Sequence, residues 1–329
     1  MYVIVAAVAT GQQAPGSRFL ILTRKLRKYA RPAAIVILLL VTAVGVYKFA
    51  TGDWSDVIAY WRVHLAVIPI LVAFSILDVT LESMAWMWSY ARLKISVLDR
   101  KGATVYLAGR AGLLMPAQLG RLIRPDGMVR LGRAPMLECL KAETVMFVLD
   151  GISVLALLAG LIMFRFYPWL AVPLTIVLIT VTVYPGDKIA DMLAHTHFNF
   201  PQGFWWSWQT FGIVLVQLAG WVAHGFALFV VVAELPGAMT LWDALFFGPG
   251  SAVLGTGTGL PGGIGATEGL LGASLRFREV PVEHLAIAVA AFRLITFWIW
   301  IPIGWLALLA LKGNNHDVAG TTASEEEDS

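Results

Sequence analysis

Two acidic side chains stand inside a long apolar stretch of this sequence. Asp78 and Glu82 lie four residues apart within His64–Leu93, so a helix presents both on one face. An ionised group within a membrane-spanning helix costs roughly 2.5–3.5 kcal/mol on insertion scales, so we expect such groups to be few and to have a role in the protein. Two interpretations stay open. The pair is either a proton or cation site facing a cavity, or a set of acids that are neutral or paired with a buried arginine.

A second pair of acids lies further along the chain. Glu143 and Asp150 are two helical turns apart at the start of another apolar stretch. We expect them to face Arg121 or Arg124 as an ion-paired structural lock rather than as a catalytic pair, because no nucleophile stands beside them. Asp150 also counts as a candidate for proton or ion coupling, together with the first pair.

A glycine-rich run, GTGTGLPGGIGATEG, occupies the middle of the stretch Leu241–Leu275. Backbone N–H groups at a helix start can hold an anion such as phosphate; close packing of small residues is the alternative. The run is not a Walker loop, because no Lys-Ser/Thr follows its glycines. We expect Glu268 to pair with Arg293 beside this run. The glycines assigned to the candidate site are Gly262, Gly263 and Gly265.

Metal and cofactor chemistry find little support in the sequence. Cys139 is the single cysteine, which excludes an intrachain disulfide and a multi-thiolate metal site. His195 and His197 fall in a stretch that we interpret as a solvated loop, and His224 is interpreted as a packing residue of its helix. We therefore predict no metal and no cofactor.

The composition of the chain indicates that these residues are positioned by membrane-spanning helices. The chain has 329 residues, of which 58% are hydrophobic and 14% charged, whereas soluble domains carry about a quarter charged residues. We predict an all-α polytopic membrane protein, since a spanning helix needs about 20 apolar residues. The predicted spans are Pro32–Ala50, His64–Leu93, Thr144–Phe166, Trp169–Tyr184, Trp205–Val232 and Leu285–Leu311.

Two further apolar stretches are interrupted. Ala103–Gly120 contains Arg110 and Pro116, and Leu241–Leu275 contains the glycine-rich run, so neither should form a continuous helix. Broken backbone at membrane depth needs protein or a water-filled cavity around it, and we predict two re-entrant helical hairpins. Each half of the chain then has the order span, span, hairpin, span, and the first half starts inside whereas the second starts outside. This favours an inverted repeat over two unrelated helix breaks.

Charge distribution orients this topology. With both hairpins re-entrant, 17 Lys and Arg residues lie on the cytoplasmic side, five lie outside and two lie within the membrane. We predict cytoplasmic termini in a bacterial inner membrane. The predicted organisation is a basic cytoplasmic segment over residues 1–31, one membrane domain over residues 32–312 and an acidic disordered tail over residues 313–329.

Two motifs carry a resemblance to a known family. LLMPAQLGRLIRPDGMVRLGR (Leu113–Arg133) and GLPGGIGATEGLLGASL (Gly259–Leu275), with Arg293 downstream, resemble the lysylphosphatidylglycerol synthase transmembrane-region family. This flippase-like family includes the membrane half of the multiple peptide resistance factor. The resemblance runs over about Pro32 to Leu311. The soluble aminoacyl-transfer domain of the synthase has no counterpart in this sequence, so we do not expect it to charge a lipid with lysine by itself.

The sequence also departs from the family pattern. Arg121 stands where many members have a glutamate, and Met146-Phe147 stands where a Glu-Arg pair is expected. Asp150 is kept, and Arg124 matches the arginine of the first motif. These departures bear on the substrate more than on the fold.

The resemblance implies movement of a lipid across the bilayer. We predict a flippase-like translocator of an anionic phospholipid, or of a lipid-linked or hopanoid-type lipid, with membrane lipids as partners and no nucleic acid. The predicted substrate site comprises Arg110, Arg124, Gly262, Gly263, Gly265, Glu268 and Arg293, and the predicted coupling site comprises Asp78, Glu82 and Asp150.

An enzyme is not predicted, because the sequence shows no catalytic constellation. The alternative is a membrane enzyme for glycosyl transfer or modification of a lipid-linked substrate, or an accessory subunit of a separate lipid-modifying enzyme. An enzyme of this kind usually needs a metal-bound nucleotide site, and the sequence has neither an Asp-x-Asp motif nor a sizeable soluble loop.

Overall fold

A computed structural model describes residues 65–188, 200, 201 and 203–311, together with residues 55, 59 and 62. These residues are predominantly helical and include no strand. Several predictions lie outside them: the first span Pro32–Ala50, the basic segment 1–31, the acidic tail 313–329, and the loop with His195 and His197.

Five described helices are long and apolar enough to cross a membrane. They are Val67–Arg92, Met136–Phe166, Pro168–Lys188, Trp208–Val232 and His284–Leu311. Each overlaps one of the predicted spans, and the sixth predicted span is the one outside the described residues. The all-α membrane class predicted from composition is therefore confirmed.

Ten helices are given bounds in the described part of the chain. In chain order they are α1 (Val67–Arg92), α2 (Arg100–Ala108), α3 (Ile123–Arg130), α4 (Met136–Phe166), α5 (Pro168–Val183), α6 (Trp208–Val232), α7 (Leu241–Gly257), α8 (Ala266–Phe277), α9 (Val282–Arg293) and α10 (300–311). Between them lie three 3₁₀ segments, Gly109–Leu114, Pro116–Leu122 and Pro261–Gly263, and a π-helical turn, Leu294–Trp298. The π-helical turn joins α9 to α10.

Polar side chains begin several helices. Asp99 accepts a hydrogen bond from the Gly102 N–H at 2.7 Å at the start of α2, and its carboxylate also pairs with Arg133. These two contacts hold the pKa of Asp99 below its usual value, the backbone hydrogen bond contributing most. Thr240 and Asp243 form a reciprocal capping box at the start of α7.

The centre of the molecule is formed by α1 and α6, which pack along each other. Trp86 and Tyr90 of α1 are fully buried in the main apolar core, where Trp86 also contacts the ring of Tyr106. By contrast, α5 leaves Trp169 and Val172 largely exposed. An exposed apolar face of this kind fits contact with lipid.

The two interrupted stretches are broken as predicted. In the structure the first hairpin runs from α2 through two 3₁₀ segments to α3, residues 100–130, and so extends beyond the predicted Ala103–Gly120. The glycines Gly112 and Gly120 of the two 3₁₀ segments touch, so that a Cβ on either would overlap the backbone of the other. The second hairpin, Leu241–Leu275, folds back at Pro261–Gly263. In both hairpins, glycines allow the two arms to approach closely.

The tips of the two hairpins meet each other. Gly262 has a left-handed backbone (φ 58°), and a Cβ there would lie 3.2 Å from the carbonyl oxygen of Leu113 and 2.5 Å from the ring of Phe297. Only glycine fits this position without strain. The contact brings two segments that are far apart in the sequence to one site.

Candidate functional site

A cavity of about 380 Å³ with charged side chains on a largely apolar wall lies between α1, α4, α6 and the two hairpins. Seven of the residues assigned to sites from the sequence line it: Asp78, Glu82, Arg110, Arg124, Asp150, Gly262 and Gly263. Thr296 and Phe297 of the π-helical turn also contribute to the wall. The structure therefore joins most of the predicted substrate and coupling residues in one cavity.

Glu82 holds both arms of the first hairpin. Its Oε2 accepts a hydrogen bond from Arg110 Nη2 at 2.5 Å, and its Oε1 accepts one from Arg124 Nη2 at 3.3 Å. Both arginines are buried, and Arg110 also donates to the hydroxyl of Tyr106 at 2.7 Å. Of the two open interpretations of Glu82, pairing with a buried arginine is confirmed, and the paired acid also faces a cavity.

Arg124 connects the first hairpin to α4. Its Nη1 donates to Glu143 Oε1 at 3.3 Å, as the sequence predicts. The other oxygen of Glu143 accepts hydrogen bonds from Trp86 Nε1 at 2.9 Å and from the Tyr90 hydroxyl at 3.0 Å. Gly109 leaves the room that the Arg124 side chain occupies, since a Cβ there would lie 2.6 Å from its Nε. Both oxygens of the Glu143 carboxylate therefore accept hydrogen bonds within the core.

Asp150 is the junction between the two halves of the chain. Its Oδ2 accepts a hydrogen bond from Arg121 of the first hairpin at 2.8 Å. Its Oδ1 accepts hydrogen bonds from Gln217 Nε2 at 2.7 Å and from Trp221 Nε1 at 2.9 Å, both on α6. The predicted ion pair with Arg121 is confirmed, and the two α6 contacts were not predicted.

Asp78 pairs with a histidine. Its Oδ2 lies 3.0 Å from His224 Nδ1, and both side chains are largely buried on the cavity wall. The ring of Phe292 packs edge-on against His224 with centroids 5.1 Å apart. His224 is thus a satisfied packing residue, as interpreted from the sequence, but its partner and its place on the cavity wall were not predicted. Its partner lies 146 residues earlier, too far for any local pattern to reveal it.

The second hairpin is locked by Arg293. Its Nε donates to Glu268 Oε1 at 2.7 Å, which confirms the predicted pair, and its Nη2 donates to the carbonyl oxygen of Gly262 at 3.1 Å. The guanidinium also lies 4.0 Å from the centre of the Phe297 ring. Arg293 and Glu268 stand behind the wall that Gly262 forms rather than on it.

The glycine-rich run does not leave its N–H groups open as predicted. The Gly263 N–H donates to Leu260 O at 3.0 Å, the Gly265 N–H donates to Glu268 Oε2 at 2.7 Å, and Gly259 donates to Thr256 O at 3.1 Å. These three groups are therefore not free to bind an anion. The alternative given by the sequence, close packing of small residues, accounts for the run better.

One face of α6 was missed from the sequence. Gln217, Trp221 and His224 follow the spacing i, i+4, i+7, which places them on one side of the helix. All three line the cavity. Three polar-tipped residues at helical spacing in an otherwise apolar span are the signal that identifies this face.

The described residues contain no group of three or more His, Cys, Asp or Glu side chains that could hold a metal ion. Comparison with known proteins finds neither a protein family whose model matches this chain nor a similar curated protein.

Proposed function

We propose that this chain is a lipid translocator, in which the cavity takes the polar head of a membrane lipid while the acyl chains stay in the bilayer. The observation that carries the proposal is the arrangement of three arginines and three acids around one cavity between apolar helices. Charged groups at membrane depth are costly and mark substrate or ion pathways. The family resemblance of the two hairpin motifs supports the same function.

The size and lining of the cavity suit a headgroup. A volume of about 380 Å³ falls at the small end of ligand pockets, which range over about 300–1,000 Å³. It accommodates a phosphate with a small substituent but not two acyl chains as well. Hydrogen-bonding groups on the wall replace the water that the headgroup leaves behind. The translocator thus lowers the main barrier to exchange between leaflets, which is the dehydration of the headgroup.

The two hairpins supply the moving parts in this proposal. We propose six spans and two re-entrant hairpins related by an inverted repeat, in a bacterial inner membrane with both termini cytoplasmic. The hairpin tips touch at Gly262 and Leu113, and inverted repeats of this kind alternate access by movement of one repeat against the other. Within this account the chain catalyses no covalent reaction.

Leaflet exchange in proteoliposomes tests the proposal. The purified protein is reconstituted with an acyl-labelled fluorescent lipid, and a membrane-impermeant reductant removes the fluorescence of the outer leaflet. We expect the inner-leaflet fluorescence to decay much faster than in protein-free vesicles for at least one headgroup. Anionic, zwitterionic and sugar-bearing lipids are compared in parallel. Decay equal to that of protein-free vesicles for all of them would contradict the proposal.

A further inference from the structure

The charged side chains of the cavity wall do not add up to a net positive charge. Arg110, Arg121 and Arg124 each pair with a carboxylate: Glu82 and Asp150 lie on the wall, and Glu143 lies behind it in the core. Asp78 adds a fourth acid whose hydrogen-bond partner in the described part of the chain is the imidazole of His224. The three arginines and four acids of this network therefore leave no surplus of positive charge at the cavity.

This balance argues against a headgroup of net negative charge. A buried charge without a partner is strongly unfavourable where water is scarce. An anionic headgroup would add such a charge to a wall that has no surplus cation. A headgroup that also carries a cationic group adds no net charge to the cavity.

Hydrogen-bonding capacity shows where each end of the ligand would bind. Both oxygens of Glu82 and of Asp150 already accept hydrogen bonds, whereas Arg121 donates to the described residues only through Nη2. Its side chain is 23% exposed, against 10% for Arg110. Arg121 therefore has N–H groups left to donate to an acceptor such as a phosphate oxygen.

Asp78 offers the complementary acceptor. Its Oδ2 is engaged by His224, and its Oδ1 has no donor among the described residues. Arg110 acts on Asp78 electrostatically but gives its hydrogen bonds to Glu82 and Tyr106. Asp78 is thus the carboxylate of the wall that is free to accept from a cationic donor.

The distance between the two ends fits a short zwitterion. Asp78 and Glu82 are four residues apart on α1, which is a rise of about 6 Å. Arg121 is held by Asp150, which also accepts from Trp221 on α6. Trp221 lies three residues before His224, the partner of Asp78, which is a rise of about 4.5 Å along α6. Resting on the proposed function, we infer that the translocated headgroup joins a phosphodiester to a primary amine, as in an ethanolamine phospholipid. The phosphate lies against Arg121 and the ammonium against Asp78.

Leaflet exchange with matched headgroups tests this inference. Acyl-labelled phosphatidylethanolamine and phosphatidylglycerol with identical chains are compared in the same proteoliposomes. We expect the ethanolamine lipid to exchange at least about tenfold faster, which corresponds to one additional charge-assisted hydrogen bond. The Asp78→Asn variant should reduce this ratio of rates about tenfold, and Asp126→Asn, on α3 away from the cavity, should keep it. Should Asp78→Asn fail to fold, the wild-type ratio decides.

Binding of soluble headgroups separates this inference from the proposed function. Glycerophosphoethanolamine and glycerophosphoglycerol, which keep the phosphodiester of the two lipids, are titrated against the purified protein while the fluorescence of its tryptophans is followed, since Trp221 lines the cavity. Preferential binding of glycerophosphoethanolamine without leaflet exchange would overturn the translocator and keep the site. Exchange of phosphatidylglycerol at an equal or higher rate would overturn the inference and keep the translocator. Absence of both exchange and binding would overturn both.

Discussion

The carboxylate of Asp150 accepts a hydrogen bond from the side-chain amide of Gln217 over 2.7 Å, although 67 residues separate them. The same carboxylate holds Arg121 of the first hairpin and Trp221 of α6. One acid thus ties a hairpin, α4 and α6 around the cavity. Networks of this kind stabilise one arrangement only while every member is satisfied. Movement of the hairpins in transport would require some of these contacts to open.

Glu82→Gln should destabilise the protein strongly. The substitution removes the carboxylate that pairs with the buried Arg110 and Arg124; Arg124 keeps its pair with Glu143, whereas Arg110 loses its salt-bridge partner among the described residues. Removing one partner of a buried ion pair costs about 3–5 kcal/mol because a charge stays buried without compensation. Thermal unfolding in detergent should show a clear fall in the transition temperature. Glu138→Gln is the matched control, since Glu138 is more exposed and pairs with Lys141 within its own helix. Equal transition temperatures for the two variants would contradict the assigned role of Glu82.

Gly262→Ala should loosen the contact between the two hairpins. A Cβ at this position would lie 2.5 Å from the Phe297 ring, and its backbone is left-handed (φ 58°). Strain of this kind costs about 1–3 kcal/mol. Gly269→Ala is the control, because a Cβ there meets nothing within 4 Å and its position within α8 favours alanine. Unfolding of the purified variants in denaturant measures both effects, and a Gly262→Ala protein as stable as Gly269→Ala would refute this contact.

Asp99→Ala should lower stability at neutral pH by about 1 kcal/mol, the usual cost of losing an N-cap. The Gly102 N–H and Arg133 keep the pKa of Asp99 below its usual value in the folded protein. The stabilisation is therefore fully present above the unfolded-state pKa of about 3.9 and is lost as pH falls through the lower folded pKa. Unfolding temperatures measured from neutral to acidic pH should show the gap between wild type and Asp99→Ala closing below about pH 4. A gap that is independent of pH would show that the charge of Asp99 contributes nothing.

Much of the fold follows from the sequence for simple physical reasons. Long apolar windows locate the spans, and the cost of a broken backbone in lipid locates the two hairpins around Pro116 and Pro261. The cost of a buried charge also requires that acids and arginines at membrane depth find each other. The pairs Arg121–Asp150 and Glu268–Arg293 are the result.

The cavity itself could not be predicted in the same way. It arises where segments distant in the chain meet, as Asp78 meets His224 and Gly262 meets Leu113. Glycine content alone led to a wrong prediction at the glycine-rich run, because an anion-binding loop and a closely packed turn can have the same composition. The hydrogen bonds that the N–H groups of Gly259, Gly263 and Gly265 donate within the protein distinguish the two.

Closing the cavity without changing its charges tests whether the lipid headgroup passes through it. Gly151 lines the cavity on α4, and a Cβ there would meet nothing within 4 Å, so Gly151→Trp places an indole in the open space. Gly269→Trp adds the same side chain at an equally open position that is not part of the wall. In proteoliposomes, the account predicts that Gly151→Trp exchanges lipid no faster than protein-free vesicles, while Gly269→Trp keeps the wild-type rate. A folded Gly151→Trp protein that exchanges lipid at the wild-type rate would contradict passage of the headgroup through this cavity.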